Sequence, residues 1–336
     1  MLGRTEGARE SSPPRPAALL PICPRFRGKS RNSYSETAGT CCPHWSIPAS
    51  KSGPRPGEPE RRRTPVLPVH GTDLYYEDTG GQGEPILFLH GFLFDGRQYE
   101  AQVAALRDGY RCLALDFRGQ GRSAPTRGGY QVEQHTADVL TVIRMLGLAP
   151  THLVGLSMGG FVAMRIAARE PDLLRSLTLL NTSAAAQALA KVPKQLALAG
   201  AARIVGVSPQ VILSGIEAEM YGEAFRTDPS RRAQRQVWQQ RWASADRAIL
   251  VRSLLGILIR PDIRTELGDV TVPTLVLAGG ADMSLPPRFG REIHALIAGS
   301  RYVELPGIGH SSPVEDPEGV TKALLEFLAG IAPTVS

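Results

Sequence analysis

Six short apolar runs are spaced along the chain, and segments with helical periodicity separate them. The runs are residues 86–91, 112–117, 152–157, 176–181, 274–279 and 301–307. Each is about as long as a β-strand, lacks an alternating polar face, and is bounded by glycine, proline or charged residues. Continuous apolar strands that alternate with helices predict an α/β fold, with a mostly parallel sheet covered by helices on both faces.

Two further segments extend this pattern. Residues 66–80, VLPVHGTDLYYEDTG, predict an antiparallel hairpin that turns at residues 70–73 and adds to one edge of the sheet. Between residues 181 and 274 the strand pattern is absent and helical patterns replace it. Those patterns are residues 209–220, 230–245 and 245–260. A helical insertion between two strands that end on the same sheet edge predicts a cap, about residues 183–262, over the active-site end.

Residues 1–65 differ in composition from the rest of the chain. They contain 11 of the 27 prolines and three of the four cysteines, and 12 Lys and Arg stand there against five Asp and Glu. The formal net charge of +6 therefore originates in this segment, and residues 66–336 are close to neutral. A segment rich in proline, arginine and serine without apolar periodicity buries too little surface to offset the cost of ordering. We therefore expect a disordered tail, residues 1–65, followed by one domain, residues 66–336.

Charge, hydropathy and cysteine usage narrow the expected partners. We interpret the basic run at residues 61–63 as part of a solvated tail and expect no nucleic-acid partner. No run of 18 apolar residues occurs, so we expect no transmembrane helix and no membrane partner. Cys112 is the only cysteine of residues 66–336, which excludes a disulfide framework and a cysteine metal site there. These features predict a cytoplasmic protein without a cysteine metal site.

A Gly-x-Ser-x-Gly pentapeptide lies where a predicted strand passes into a predicted helix. Ser157 stands between Gly155 and Gly159, after HLV and before MGGFVAMRIAAREP. Glycines at these positions let strand and helix approach without Cβ clashes, and a tight, strained turn exposes the hydroxyl. The pattern predicts Ser157 as a nucleophile. The alternative is a glycine-rich turn whose serine only caps the helix.

Two residues able to activate a serine follow later strands. A serine hydroxyl needs a histidine to take its proton, and the histidine needs a carboxylate to fix its tautomer and stabilise the imidazolium. Asp282 lies three residues beyond the run 274–279, in GGADMSLPP, and His310 follows the last run, in GIGHSSPVEDP. We therefore expect Ser157, Asp282 and His310 to meet at one edge of the sheet as a catalytic triad.

Backbone amides at the same edge are candidates for an oxyanion hole. The sequence HGF, which includes His90 and Phe92, ends the first buried run, and Met158 begins the helix after Ser157. The amides of Phe92 and Met158 are predicted to donate to the developing oxyanion, and the helix dipole adds to their effect. For His90 itself we expect a structural role, with hydrogen bonds across loops.

The segment DFRGQGRS, residues 116–123, also ends a predicted strand. An aspartate and an arginine beside a cleft are able to bind a polar substrate group. The glycines favour a tight loop instead, in which Asp116 and Arg118 fasten neighbouring backbone.

Five motifs, in order, resemble the α/β-hydrolase fold superfamily: HGF, DFRGQGRS, GLSMGG, GGADMSLPP and GIGHSSPVEDP. The resemblance spans about residues 66–328 and implies an eight-stranded sheet, a Ser-His-Asp triad and hydrolysis through an acyl-enzyme without a cofactor. The layout of the chain also includes the segment LLNTS, a compact helical cap and the segment RPDIRTEL. This layout is similar to that of 3-oxoadipate enol-lactonases and of the cofactor-free haloperoxidase/esterase group. Ser157 argues against epoxide hydrolases and haloalkane dehalogenases, whose nucleophile is an aspartate.

Candidate pocket residues come from the cap and from loops beside the expected triad. They are Met220, Tyr221, Trp238 and Leu285, together with Phe92. Trp238 and Trp242 share one helix face, an arrangement that core packing also explains. An enol-lactone with a free carboxylate would need a cationic partner, for which Arg118 and Arg241 are candidates.

These residues predict a serine hydrolase that cleaves a small carboxylic ester or lactone. One alternative is hydrolysis of a carbon–carbon bond in a vinylogous diketone by the same triad. Another is a ligand receptor that keeps the pocket without efficient turnover. A third is a nucleic-acid-binding role for the basic tail.

Overall fold

The computed structural model describes residues 65–188, 190, 192–206 and 210–332, without the side chains of residues 198 and 202. In this part of the chain, one sheet of eight strands organises the fold. The strands are β1 (Val66–Val69), β2 (Thr72–Asp78), β3 (Pro85–Leu89), β4 (Arg111–Leu115), β5 (Thr151–Leu156), β6 (Leu174–Leu180), β7 (Thr274–Gly279) and β8 (Arg301–Leu305). Their order across the sheet is β1-β2-β4-β3-β5-β6-β7-β8. The pairs β1–β2 and β2–β4 are antiparallel, and the five remaining pairs are parallel. The expected mostly parallel eight-stranded sheet is confirmed.

The six apolar runs all lie in the parallel part of the sheet. Every residue of β5 and of β7 is buried, which explains why these strands show no polar face in the sequence. The antiparallel hairpin β1–β2 lies at one edge of the sheet, as predicted. Its turn is tighter than expected, because His70 and Gly71 both adopt positive φ and β2 already begins at Thr72.

Helices cover both faces of the sheet. Their bounds are α1 (Glu100–Leu106), α2 (Val132–Met145), α3 (Met158–Arg169), α4 (Val192–Val205), α5 (Gln210–Met220), α6 (Glu223–Thr227), α7 (Arg232–Ser244), α8 (Arg247–Leu258), α9 (Arg288–Leu296), α10 (Ser312–Glu315) and α11 (Pro317–Leu328). On one face, Val139 of α2, Val162 of α3 and Ile293 of α9 share a buried apolar cluster with the sheet. On the other face, Leu106 of α1 and Leu324 of α11 share a second cluster.

Helices α4–α8 form an insertion between β6 and β7, where the strand pattern disappears from the sequence. The three helical patterns correspond to α5, α7 and α8. Helix α4 was not predicted, because its alanine-rich sequence has no single apolar stripe. The insertion has its own buried cluster, which Phe94 and Val314 join from the loops at the edge of the sheet. Apolar packing therefore holds the insertion over that edge.

Residues 1–64 lie outside the described residues. The expected disorder of the tail and the interpretation of its basic run therefore stay predictions. Within the described ranges, no helix combines the length and apolar character needed to cross a membrane.

The loop 116–123 is held by side-chain contacts that only partly match the expectation. Asp116 accepts hydrogen bonds from the backbone amides of Gly96 (2.7 Å) and Arg122 (2.9 Å), as predicted. The expectation for Arg118 was wrong. Its guanidinium makes a bidentate ion pair with Asp138 of α2, with two N···O distances of 2.7 Å, and both side chains are at least 96% buried. Arg118 therefore joins this loop to α2 instead of binding backbone.

We expect Asp138→Ala to lower the free energy of unfolding by about 3–5 kcal/mol, because it leaves the Arg118 guanidinium buried without a counter-charge. Glu170→Ala is the matched control, since it breaks the exposed Arg144–Glu170 pair and should cost less than about 1 kcal/mol. Urea unfolding of the full chain measures both. Equal losses for the two variants would contradict this account of Arg118.

Candidate active site

Ser157 lies in the tight turn between β5 and α3, with φ 51° and ψ −110°. A Cβ on Gly155 would lie 2.5 Å from the carbonyl oxygen of Gly159, and a Cβ on Gly159 would collide with the carbonyl oxygen of Leu89 in β3. The two glycines therefore allow strand and helix to approach as closely as the turn requires. The Ser157 side chain makes no capping hydrogen bond to the helix. Its hydroxyl is thus not committed to holding the turn.

His310 and Asp282 form a buried pair in the loops that follow β8 and β7. The distance from His310 Nδ1 to Asp282 Oδ2 is 2.8 Å, and both side chains are at least 96% buried. Since a carboxylate only accepts, this contact places a proton on Nδ1, and in the corresponding neutral tautomer Nε2 is an acceptor. The amide of Leu285 donates to the other Asp282 oxygen at 2.8 Å. This arrangement fixes both the position of the carboxylate and the tautomer of the imidazole.

Asn181 also contacts this carboxylate, and sequence reasoning did not select it. It follows β6 with a φ of 46°, a left-handed conformation that asparagine tolerates better than most residues. Its Nδ2 donates to Asp282 Oδ2 at 3.0 Å and to the carbonyl of Gly309 at 3.1 Å. Its Oδ1 accepts from the hydroxyl of Ser312 at 2.6 Å. One amide therefore joins the loops after β6, β7 and β8, and its place as the last residue of the run 176–181 was the available signal.

Glu315 is a second buried residue that the sequence did not reveal. Its carboxylate accepts hydrogen bonds from the amides of Gly222 (2.8 Å), Gly309 (2.9 Å) and Ser311 (3.1 Å). Burial raises the pKa of Glu315 above its ordinary value, and the three amide donors oppose that rise. Because Gly222 belongs to the helical insertion, this carboxylate ties the insertion to the loop that carries His310.

The loop that follows β3 passes beside Ser157. A Cβ on Gly91 would lie 3.6 Å from the Cβ of Ser157, so the amide of Phe92 is close to the turn. Within the described residues, the amides of Phe92 and Met158 donate to no hydrogen-bond acceptor. Both N–H groups are therefore free to bind an oxygen atom that is not part of the fold.

His90 has the structural role that was expected. Its Nδ1 lies 2.7 Å from the carbonyl of Gly91, and its Nε2 accepts the amide of Phe117 at 3.0 Å. Burial lowers the pKa of His90, which keeps the ring neutral, as these two contacts require.

A cavity of about 160 Å³ opens between the sheet edge and the helical insertion. Ser157 and His310 both border it, and among the described hydrogen bonds none joins the Ser157 hydroxyl to the imidazole. Such contacts are often loose before a substrate binds. A cavity of this size accommodates a small organic molecule.

The predicted pocket residues divide between this cavity and the core of the insertion. Phe92, Met220 and Leu285 border the cavity. Tyr221 and Trp238 are not among its lining residues. They lie in the buried cluster of the insertion, where the Tyr221 ring stacks 5.8 Å from Trp242 and the Trp238 ring lies 4.7 Å from Phe94.

The cations considered for a substrate carboxylate lie elsewhere. Arg118 is paired with Asp138, and the guanidinium of Arg241 lies over the ring of Trp238 at 4.4 Å. The arginines that border the cavity are Arg247 and Arg260. No group of three or more His, Cys, Asp or Glu in the described part of the chain is arranged to hold a metal ion.

The alpha/beta hydrolase fold family matches residues 84–317, about 70% of the chain. The chain belongs to this family. Among solved structures of α/β-hydrolases, the enol-lactonase from Burkholderia xenovorans LB400 is 30% identical, with a TM-score of 0.73, and the match covers 79% of this chain and 100% of that one. A malate-bound thermophilic esterase from Thermogutta terrifontis is 31% identical, with a TM-score of 0.71 and coverage of 80% and 98%. A non-heme haloperoxidase from Rhodococcus erythropolis is 27% identical, over 78% of this chain and 98% of that protein.

In this α/β-hydrolase, we expect Glu315→Ala to lower the free energy of unfolding by about 3 kcal/mol, because three backbone N–H groups lose their buried acceptor. Glu318→Ala, three residues along the chain at an exposed position, is the matched control and should cost less than about 0.5 kcal/mol. Chemical denaturation of both variants provides the comparison. A loss for Glu315→Ala no larger than that of the control would show that these contacts do not stabilise the loop.

Proposed function

We propose that the protein is a serine hydrolase that cleaves a small carboxylic ester or lactone through an acyl-enzyme. The observation that carries the proposal is the buried His310–Asp282 hydrogen bond of 2.8 Å on a cavity that Ser157 also borders. A nucleophile, a base and a group that orients the base are the three parts that activation of a serine requires.

The proposed reaction begins when the Ser157 hydroxyl attacks the substrate carbonyl and His310 Nε2 takes its proton. Asp282 stabilises the resulting imidazolium through the hydrogen bond to Nδ1. The oxyanion of the tetrahedral intermediate accepts hydrogen bonds from the amides of Phe92 and Met158, which donate to no acceptor among the described residues. The imidazolium then protonates the leaving alkoxide, and Ser157 remains acylated.

Deacylation repeats these steps with water as the nucleophile. His310 takes a proton from water, the hydroxide attacks the acyl carbonyl, and the collapse of the second tetrahedral intermediate returns the proton to Ser157. A lactone follows the same two steps, except that its leaving alkoxide stays attached to the acyl group.

In the proposal, helices α4–α8, within the predicted cap of residues 183–262, form the roof of the substrate cavity. Met220 and Leu285 supply apolar contacts there. The esterase and enol-lactonase neighbours support ester or lactone chemistry at this site. A cytoplasmic location, which fits the buried free thiol of Cys112, also belongs to the proposal.

We expect a fluorophosphonate probe to label the native full chain at Ser157, because the activated hydroxyl attacks phosphorus as it attacks a carbonyl carbon. Ser157→Ala should abolish labelling, and so should heat unfolding of the wild type. Ser284→Ala is the matched control, because Ser284 borders the same cavity and should keep the wild-type labelling rate. Peptide mass spectrometry locates the adduct. Absence of labelling in the native protein would contradict the proposed function.

A further inference from the structure

Arg260 is a buried arginine for which the described residues supply no carboxylate partner. It lies just beyond α8 and is 5% exposed. Its Nη1 donates to the side-chain oxygen of Gln187 and to the carbonyl of Ile257, each at 2.9 Å. Its Nε is buried without an acceptor, and Nη2 makes no hydrogen bond among the described residues. Among the described residues, the edge of the guanidinium formed by Nε and Nη2 therefore has no hydrogen-bond acceptor.

A neighbouring arginine shows how the same fold satisfies a buried guanidinium when it has a structural role. Arg165 of α3 is 99% buried, and its Nε donates to a carboxylate oxygen of Glu133 at 2.6 Å. Its Nη1 and Nη2 donate to the carbonyls of Phe161 and Pro261. Every nitrogen of Arg165 thus has an acceptor, in contrast to Arg260.

The charges nearest to Arg260 do not form an ion pair with it. Burial, followed by the nearby Arg165 charge, lowers the pKa of Arg260 to about 10, so the group still carries its charge at neutral pH. The nearby acid that favours the charged form of Arg260 is Asp262. Its carboxylate accepts a hydrogen bond from the guanidinium of Arg264 at 2.7 Å. Placing an unpaired cation in the interior is costly unless an anion joins it.

Arg260 borders the same cavity as Ser157 and His310. Its guanidinium carbon lies 4.2 Å from the centre of the Phe161 ring, and Phe161 also borders the cavity. Phe161 is one helical turn beyond Ser157, and its amide donates to the Ser157 carbonyl at 2.9 Å. Arg260 therefore packs on the ring of a residue whose backbone lies one helical turn, about 6 Å of helix rise, from the candidate nucleophile.

We propose that Arg260 binds a free carboxylate of the substrate through the Nε–Nη2 edge of its guanidinium, so that the enzyme prefers short esters or lactones that carry a second, ionised carboxyl group. This inference rests on the proposed function. A planar carboxylate matches two parallel N–H donors, and the pairing supplies the charge that the interior lacks. The ester carbonyl then lies at Ser157 while the carboxylate lies over the Phe161 side of the cavity.

The test compares pairs of substrates in which a neutral group replaces the carboxylate: a methyl group in the first pair and an amide in the second. On the acyl side the pair is 4-nitrophenyl hemiglutarate and 4-nitrophenyl valerate, and on the alcohol side it is 4-acetoxybutyrate and 4-acetoxybutyramide. For at least one pair, we expect wild-type kcat/KM to favour the anionic member. Arg260→Met, which keeps the volume of the stem, should lower the anionic-to-neutral ratio about 30-fold, the effect of losing a charge-assisted bidentate contact.

Two further variants make the comparison specific. Arg260→Lys keeps the charge but not the planar fork, and should lower the ratio to an intermediate value. Arg247→Met removes a cation that is exposed at the same cavity and should leave the ratio at the wild-type value. Labelling by the neutral fluorophosphonate reports whether each variant is folded.

Direct binding separates failure of this inference from failure of the proposed function. Calorimetric titration of the full-length Ser157→Ala protein with glutarate should show binding that Arg260→Met weakens about 30-fold and Arg247→Met does not change. If wild type hydrolyses no ester and is not labelled, the proposed function fails, while the titration still tests Arg260. A neutral preference of wild type in both pairs, or equal ratios in wild type and Arg260→Met, would overturn the inference.

Discussion

The close approach of β3, β5 and the start of α3 is the constraint on which the rest of the site depends. In a strand-to-helix turn this tight, neighbouring backbone atoms occupy the space that a Cβ would need. Gly155 and Gly159 have no Cβ and therefore allow this close contact. The turn holds Ser157 at a positive φ, and the next amide, that of Met158, has no acceptor in the part of the chain that the structure describes. The strained backbone of Ser157 and the position of the Met158 amide beside its hydroxyl thus both result from this tight turn.

A polar network holds the loops that carry Asp282 and His310 together. Parallel strands deliver their following loops to one edge of the sheet, but the loops still have to be held in register. Asn181 joins the loops after β6, β7 and β8 through Asp282, Gly309 and Ser312. Glu315 extends the network to Gly222 of the helical insertion. The position of His310 therefore depends on buried polar contacts that reach well beyond its own loop.

Much of the fold and the placement of Ser157, Asp282 and His310 could be predicted because those signals are local. Continuous apolar runs identified the parallel strands, and residues that follow such runs lie at one sheet edge. Asn181, Glu315 and Arg260 escaped prediction because their significance depends on partners far away in the chain. Arg118 was assigned wrongly for the same reason, since its buried partner Asp138 lies in the following helix. Helix α4 was missed because an alanine-rich sequence gives no amphipathic stripe.

The central claim is that catalysis passes through an ester formed at Ser157. Its most direct test is rapid-quench mass spectrometry of the full chain during turnover of 4-nitrophenyl acetate, followed by peptide mapping. The account predicts an acetyl group on Ser157 that forms and decays at rates consistent with turnover. Turnover without any covalent intermediate, or with the acetyl group on a different residue, would contradict it.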